Sequence, residues 1–142
     1  MPEPEALNDD DEVLNRQVPP GLWDVAEGAP MWTAFGPQSS DNGKMSTLRG
    51  NVTPSEAHRR HTEDHGLASV GTWGVRVGDA HDNGTTCIDD GGADGVPIDH
   101  ASVDFNALTK AQRRISRRRL HELACLRGPL FEPPSSGSDR EE

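Results

Sequence analysis

Two stretches of this chain carry helix-start signals, and the segments between them alternate in the manner of strands. In "VTPSEAHRRHTEDHG", Thr53 stands as an N-cap, Pro54 suits the first helical position and Glu56 sits three residues on. That helix is expected to run to about His65 and stop at Gly66. In "LTKAQ", Thr109 is the N-cap and Gln112 completes a capping box, which predicts a second helix to about Leu126, ending near Gly128 and Pro129. Between the two, Trp73, Val75 and Val77 alternate with Thr72, Gly74 and Arg76, so residues 67–77 read as a strand. Ala101, Val103 and Phe105 alternate with His100, Ser102 and Asp104, so residues 96–105 read as another. "TTCI" is a short strand candidate. The remainder of 78–95 reads as turns, with 89–95 a flexible acidic loop. Gly71 and Gly74 point to a close approach of backbones. The order helix, strand, short strand, strand, helix predicts an α+β fold over residues 44–130, a small antiparallel sheet flanked by two helices.

The core available to such a domain is small, because apolar residues make up 32% of the 142 while Gly and Pro number 15 and 11. Charge divides the chain further. Residues 1–43 hold nine acids against one base, 44–130 hold eleven against twelve, and 131–142 hold four against one. The acidic ends are therefore expected to be disordered: 1–43 as an acidic segment and 131–142 as a tail. No apolar run approaches a membrane span, and the N-terminus lacks the basic and apolar regions of a signal peptide. Cys87 and Cys125 show neither a disulfide framework nor a zinc spacing. The expected location is cytoplasmic.

Within the acidic segment, "GLWDVAEGAPMWTAF" at 21–35 holds Trp23, Trp32 and Phe35, half of the chain's aromatic residues. Such side chains either pack onto the domain or dock on a partner. The second helix is rich in Arg. Arg113, Arg114, Arg117 and Arg118 fall on one arc with His121, while Ile115, Leu123 and Leu126 define the side expected to be buried. A basic face of this kind suits an acidic protein surface, the chain's own acidic tail, or nucleic acid. A second copy of the chain is a further candidate partner, since the core is small.

His58, His61 and His65 follow the spacing i, i+3, i+7 and are expected on one face of the first helix, with His61 and His65 at the separation by which two imidazoles chelate zinc. The alternative to a metal site is a half-buried structural face. His100 and Asp104 share a strand face, and with Arg76 they form a candidate catalytic patch for a phosphodiester. No P-loop or nucleophile elbow is present.

The run "STLRGNVTPSEAHRRHTEDHGLASVGTWGV", followed by "HASVDFNALTKAQ", resembles small uncharacterised proteins of GC-rich actinobacteria, and that resemblance implies no particular activity or ligand. The leading expectation is a non-enzymatic interaction protein. It would use Trp23, Trp32, Phe35 and the Arg helix as contact surfaces and need no cofactor. The alternatives are a zinc- or His-dependent hydrolase and a nucleic-acid-binding module.

Overall fold

The computed structural model describes residues 5–38, 42–92 and 95–133. Six strands make one antiparallel sheet: β1 (Glu5–Ala6), β2 (Val13–Gln17), β5 (Lys44–Leu48), β6 (Thr72–Arg76), β7 (Thr86–Asp89) and β8 (His100–Asp104). Their order across the sheet is β1–β7–β8–β5–β2–β6, and every pairing is antiparallel. A separate two-stranded ribbon joins β3 (Trp23–Asp24) to β4 (Ala29–Pro30). The helices are α1 (Pro54–Arg59), continued by a π turn over Arg60–Asp64, α2 (Val77–Asp82) and α3 (Lys110–Arg127). The fold class is α+β, as the sequence predicts. None of the helices is long and apolar enough to cross a membrane, among the described residues.

Strand alternation divides the sheet into two unlike faces. On one face, Leu14 pairs with Val75, and Val103 with both Met45 and Cys87. These residues and Trp73 form a buried core with Phe35, Phe105, Leu120 and Ala124. The opposite face presents Asn15 and Gln17 from β2, Ser46 and Leu48 from β5, and His100 and Ser102 from β8. Helix α1 lies over the β2–β6 part of that second face, where the Thr72 hydroxyl reaches both the Pro54 carbonyl and Gln17 Oε1. The β5–β8 part is left uncovered by α1.

Four sequence expectations change. First, residues 5–38 do not lie outside the folded unit. Strand β2 sits between β5 and β6, and Phe35 and Val18 are wholly buried. The acidic residues of this stretch conceal it: Glu12 is held by Arg49 at 2.7 Å, and Asp11 by Arg76 at 3.2 Å. Second, residues 77–82 form a helix, where the expected strand ends at Val77 and turns follow, because Val77 and Ala80 point into the core and Asp79 is tied to Arg76. Third, α3 is turned about its axis. Ser116, Leu120 and Ala124 face inward, while Ile115 and Leu126 stand 66% and 78% exposed. The cause is segment 30–37, which covers the helix and draws Arg117 and His121 inward. Fourth, the chain stays attached beyond residue 130, since Thr72 donates to the Phe131 carbonyl at 2.8 Å along the edge of β6. The tail expected over 131–142 thus begins with ordered residues, and 134–142 lie outside the described residues. Gly71 accommodates this contact, because a Cβ there would stand 2.8 Å from that carbonyl.

The burial of Phe35 and β2 leads to a direct test. A chain lacking residues 1–43 should fail to unfold cooperatively, and Phe35→Ala in the full chain should lose about 3–5 kcal/mol in urea denaturation. A sharp transition in the truncated chain would show that the sheet closes without β2.

Candidate active site

The exposed half of the second sheet face carries a chain of short hydrogen bonds. Ladder bonds join Phe105 to Gly43 and Arg49 to Asp99 at the two ends of the β5–β8 pair. Ser46 and Ser102 therefore oppose each other as a non-hydrogen-bonded pair, in which side chains come closest. His100 lies one step along β8 on the same face, and its Nε2 is 2.5 Å from Ser46 Oγ. The other ring nitrogen, Nδ1, is 2.6 Å from Asp90 Oδ1. Asp90 directly follows β7 and turns its carboxylate over the same face, where Oδ2 accepts from Ser102 Oγ at 2.6 Å.

Proton placement follows from chemistry. A carboxylate only accepts, so Nδ1 carries the hydrogen that faces Asp90. In the neutral imidazole, Nε2 is then the acceptor and Ser46 Oγ donates to it. Ser102 fixes the far oxygen of Asp90. The side chains of His100 and Asp90 are 16% and 20% exposed, whereas Ser46 is open to solvent. The arrangement is a hydroxyl on a base on an orienting carboxylate, with the hydroxyl at the accessible end.

Ser46 and His100 open into a cleft of about 970 Å³. One wall is the end of α1 and its π turn, with Arg60, His61, Asp64 and His65; the other is the loop before β8, with Pro97 and Ile98. Arg60 reaches the opposite wall, pairing with Asp99 at 3.3 Å and with Glu56 at 3.0 Å. Asp99 itself adopts the left-handed conformation, φ 67°, immediately before His100. Arg16 also lines the cleft. It is 7% exposed and donates to the Ser46 carbonyl at 2.9 Å and to the Ala34 carbonyl at 2.9 Å.

The histidine cluster does not converge. The π turn adds a residue to the helical repeat, and of the three rings only His61 and His65 line the cleft. The His58 ring stands 3.2 Å from the Ser69 carbonyl and 5.2 Å from the Phe131 ring. His61 turns into the cleft wall, and His65 is exposed at its rim. No group of three His, Cys, Asp or Glu side chains is arranged to hold a metal among the described residues. Glu56 does not complete a capping box either. Thr53 Oγ1 accepts from the Glu56 amide, but the Glu56 carboxylate turns to Arg59 and Arg60, which hold it down to about 2.

The candidate patch of His100, Asp104 and Arg76 is likewise divided. Arg76 pairs with Asp11 and Asp79, and Asp104 receives the Asn106 amide. His100 alone belongs to the site. Its actual neighbours are Ser46, from a strand to which the sequence reading assigns no element, and Asp90, from the acidic loop expected at 89–95. The alternation of Met45 and Thr47 with Lys44, Ser46 and Leu48 was a legible strand signal. The pairing of Ser46 with a histidine 54 positions later was not legible.

The expected partner surfaces are mostly engaged within the chain. Trp23 packs on Trp73 with ring centroids 5.6 Å apart, Phe35 is buried beside His121, and the Arg118 guanidinium covers Trp32 at 4.3 Å. Arg117 donates to the Thr33 and Pro37 carbonyls, and Arg113 to the Leu108 carbonyl and Asn106. Arg114 remains exposed.

Burial pulls His61 below the ordinary imidazole value; a bond with the Ala68 backbone opposes this, and the Arg16 charge adds to the lowering. Its neutral form is thus the one the fold favours. The stability it contributes is complete above the unfolded value of about 6.5 and is lost as pH falls below it. Chemical denaturation of the native chain between pH 8 and pH 5 should show this loss, and His61→Gln should reduce the slope. An equal slope in both would remove His61 as its source. Comparison with family models, with curated proteins and with solved structures finds no match.

Proposed function

We propose that the protein is a hydrolase of carboxylic esters, with Ser46 as nucleophile, His100 as general base and Asp90 as the group that orients the imidazole. The observation that carries this reading is the continuous Asp90–His100–Ser46 hydrogen-bond chain, with its hydroxyl end exposed in a cleft. In the first step Ser46 Oγ bonds to the substrate carbonyl carbon as its proton passes to His100 Nε2. The tetrahedral adduct collapses with cleavage of the bond to the alcohol oxygen, and His100 returns the proton to that oxygen. Water then attacks the acyl-serine with His100 again taking the proton, and the carboxylic acid leaves as Ser46 recovers its hydrogen. Asp90 keeps the Nδ1–H tautomer throughout and balances the imidazolium charge.

The reading differs from a non-enzymatic interaction protein because the aromatic and Arg residues expected on its surface are largely engaged inside the chain. It stays close to the His-dependent hydrolase alternative, with a serine in place of a metal and an ester in place of a phosphodiester. Labelling with a fluorophosphonate probe tests it. The native chain should react at Ser46 and Ser46→Ala should not. Asp90→Asn should slow labelling by about two orders of magnitude or more, since the wrong tautomer would be favoured. Labelling that survives in Ser46→Ala would overturn the assignment.

A second reading is supported by a different face. On α3, Ile115 and Leu126 are exposed alongside Arg114 and Arg118, a combination that fits an acidic protein surface with apolar contacts. Replacing Arg114 with Glu and Ile115 with Ser should abolish capture of such a partner from cell extract while the melting temperature holds. Undiminished capture would place the contact elsewhere.

A further inference from the structure

The cleft beside Ser46 is polar in composition but not in what it offers a ligand. Asn15 Nδ2 is committed to the Arg49 and Val52 carbonyls. Gln17 Oε1 accepts from Ser69 and Thr72, and Gln17 Nε2 is shut off from solvent. Arg60 is held by Glu56 and Asp99, Asp64 by Arg59, and Arg16 by main-chain carbonyls on both sides of it. His61 faces the Ala68 backbone. Apart from Ser46, His100 and the His65 ring at the rim, the surface left for a substrate is chiefly apolar.

That surface is also arranged as two lips. Leu67, which follows the end of the π turn, is 54% exposed, and Ile98, in the loop before β8, is 72% exposed. They come from unrelated loops and line the same cleft, with Leu48 on its floor two residues along β5 from Ser46 and Leu22 further along. Large aliphatic side chains exposed on either side of a cleft lose contact with water when an apolar group lies between them.

Resting on the ester-hydrolase reading, we infer that the cleft is an acyl-binding site, and that the substrate is an ester of an extended apolar acid whose chain lies between Leu67 and Ile98. The carbonyl carbon is at Ser46, and the acyl chain runs over Leu48 toward the lips. Recognition is then by length and apolarity rather than by hydrogen bonding, and each methylene placed between the lips raises kcat/KM by about fourfold.

A series of p-nitrophenyl esters from acetate to decanoate, assayed on the full chain, tests this. The expected profile rises with chain length until the cleft is filled. The double variant Leu67→Ser, Ile98→Ser should reduce the octanoate-to-acetate ratio of kcat/KM by about tenfold, with folding checked by thermal melting. A flat profile in the native chain, with fluorophosphonate still labelling Ser46, would overturn the acyl site and leave the nucleophile in place. A rising profile that the double variant keeps would also overturn it. Loss of Ser46-dependent labelling would overturn both readings together.

Discussion

The join between β2 and β5 is the constraint on which the rest of the molecule depends. The two strands share a single register pair, Asn15 with Leu48, and side chains supply what the ladder does not. Asn15 spans to the loop after β5 through the Arg49 and Val52 carbonyls. Arg16 spans the opening from the other direction, linking the Ser46 carbonyl to that of Ala34. A buried cation is costly unless its donors are used, and its use here binds three separate chain segments at one point. One of those segments is the covering of α3, and another carries Ser46. Arg16 and Ser46 both line the cleft, so the side chain that bridges this join also borders the site.

Much of the second half of the fold was legible from local chemistry. The Thr109 and Gln112 box is formed as the sequence implies, Gly66 takes φ +65°, and β8 keeps the alternation read from His100 to Asp104. The first half was misjudged for a physical reason. Its acids read as solvating charge along the chain, yet Glu12 pairs with Arg49 just past β5 and Asp11 with Arg76 of β6, and charge neutralised across the sheet is invisible to a count along the chain. The rotation of α3 has the same origin. Leucine and isoleucine positions alone favour burying Ile115 and Leu126. The helix instead buries the side that Phe35 and the 30–37 carbonyls contact, because those carbonyls need the Arg117 donors.

The site was legible only in its middle member. His100 is one of the polar residues that alternate along β8, and spacing along the chain pairs it only with Asp104 on its own strand. Cross-strand geometry puts its partners on β5 and just past β7. Ser46 is an ordinary residue in an ordinary strand, and Asp90 is one aspartate in an acidic run; neither residue type nor spacing distinguishes them. The His58, His61 and His65 face shows the opposite failure. Its spacing was informative only for a regular α-helix, whereas the π turn adds a residue to the repeat and only His61 and His65 line the cleft.

The order of strands also governs when the sheet can form. Strand β2 is made early, yet both of its neighbours, β5 and β6, follow it in the chain, and β1 waits for β7. Chain emerging from a ribosome would hold the strand containing Leu14 and Arg16 without a mate until Leu48 has been added, and without its long ladder until Val75 follows. The pairs β1–β7, β2–β6 and β5–β8 each join segments far apart in the chain, which favours slow, all-or-none folding over growth from the N-terminus. During synthesis, the acidic residues that flank β2 keep an unpaired strand in solution, and they become ion pairs once the arginines of the later strands arrive.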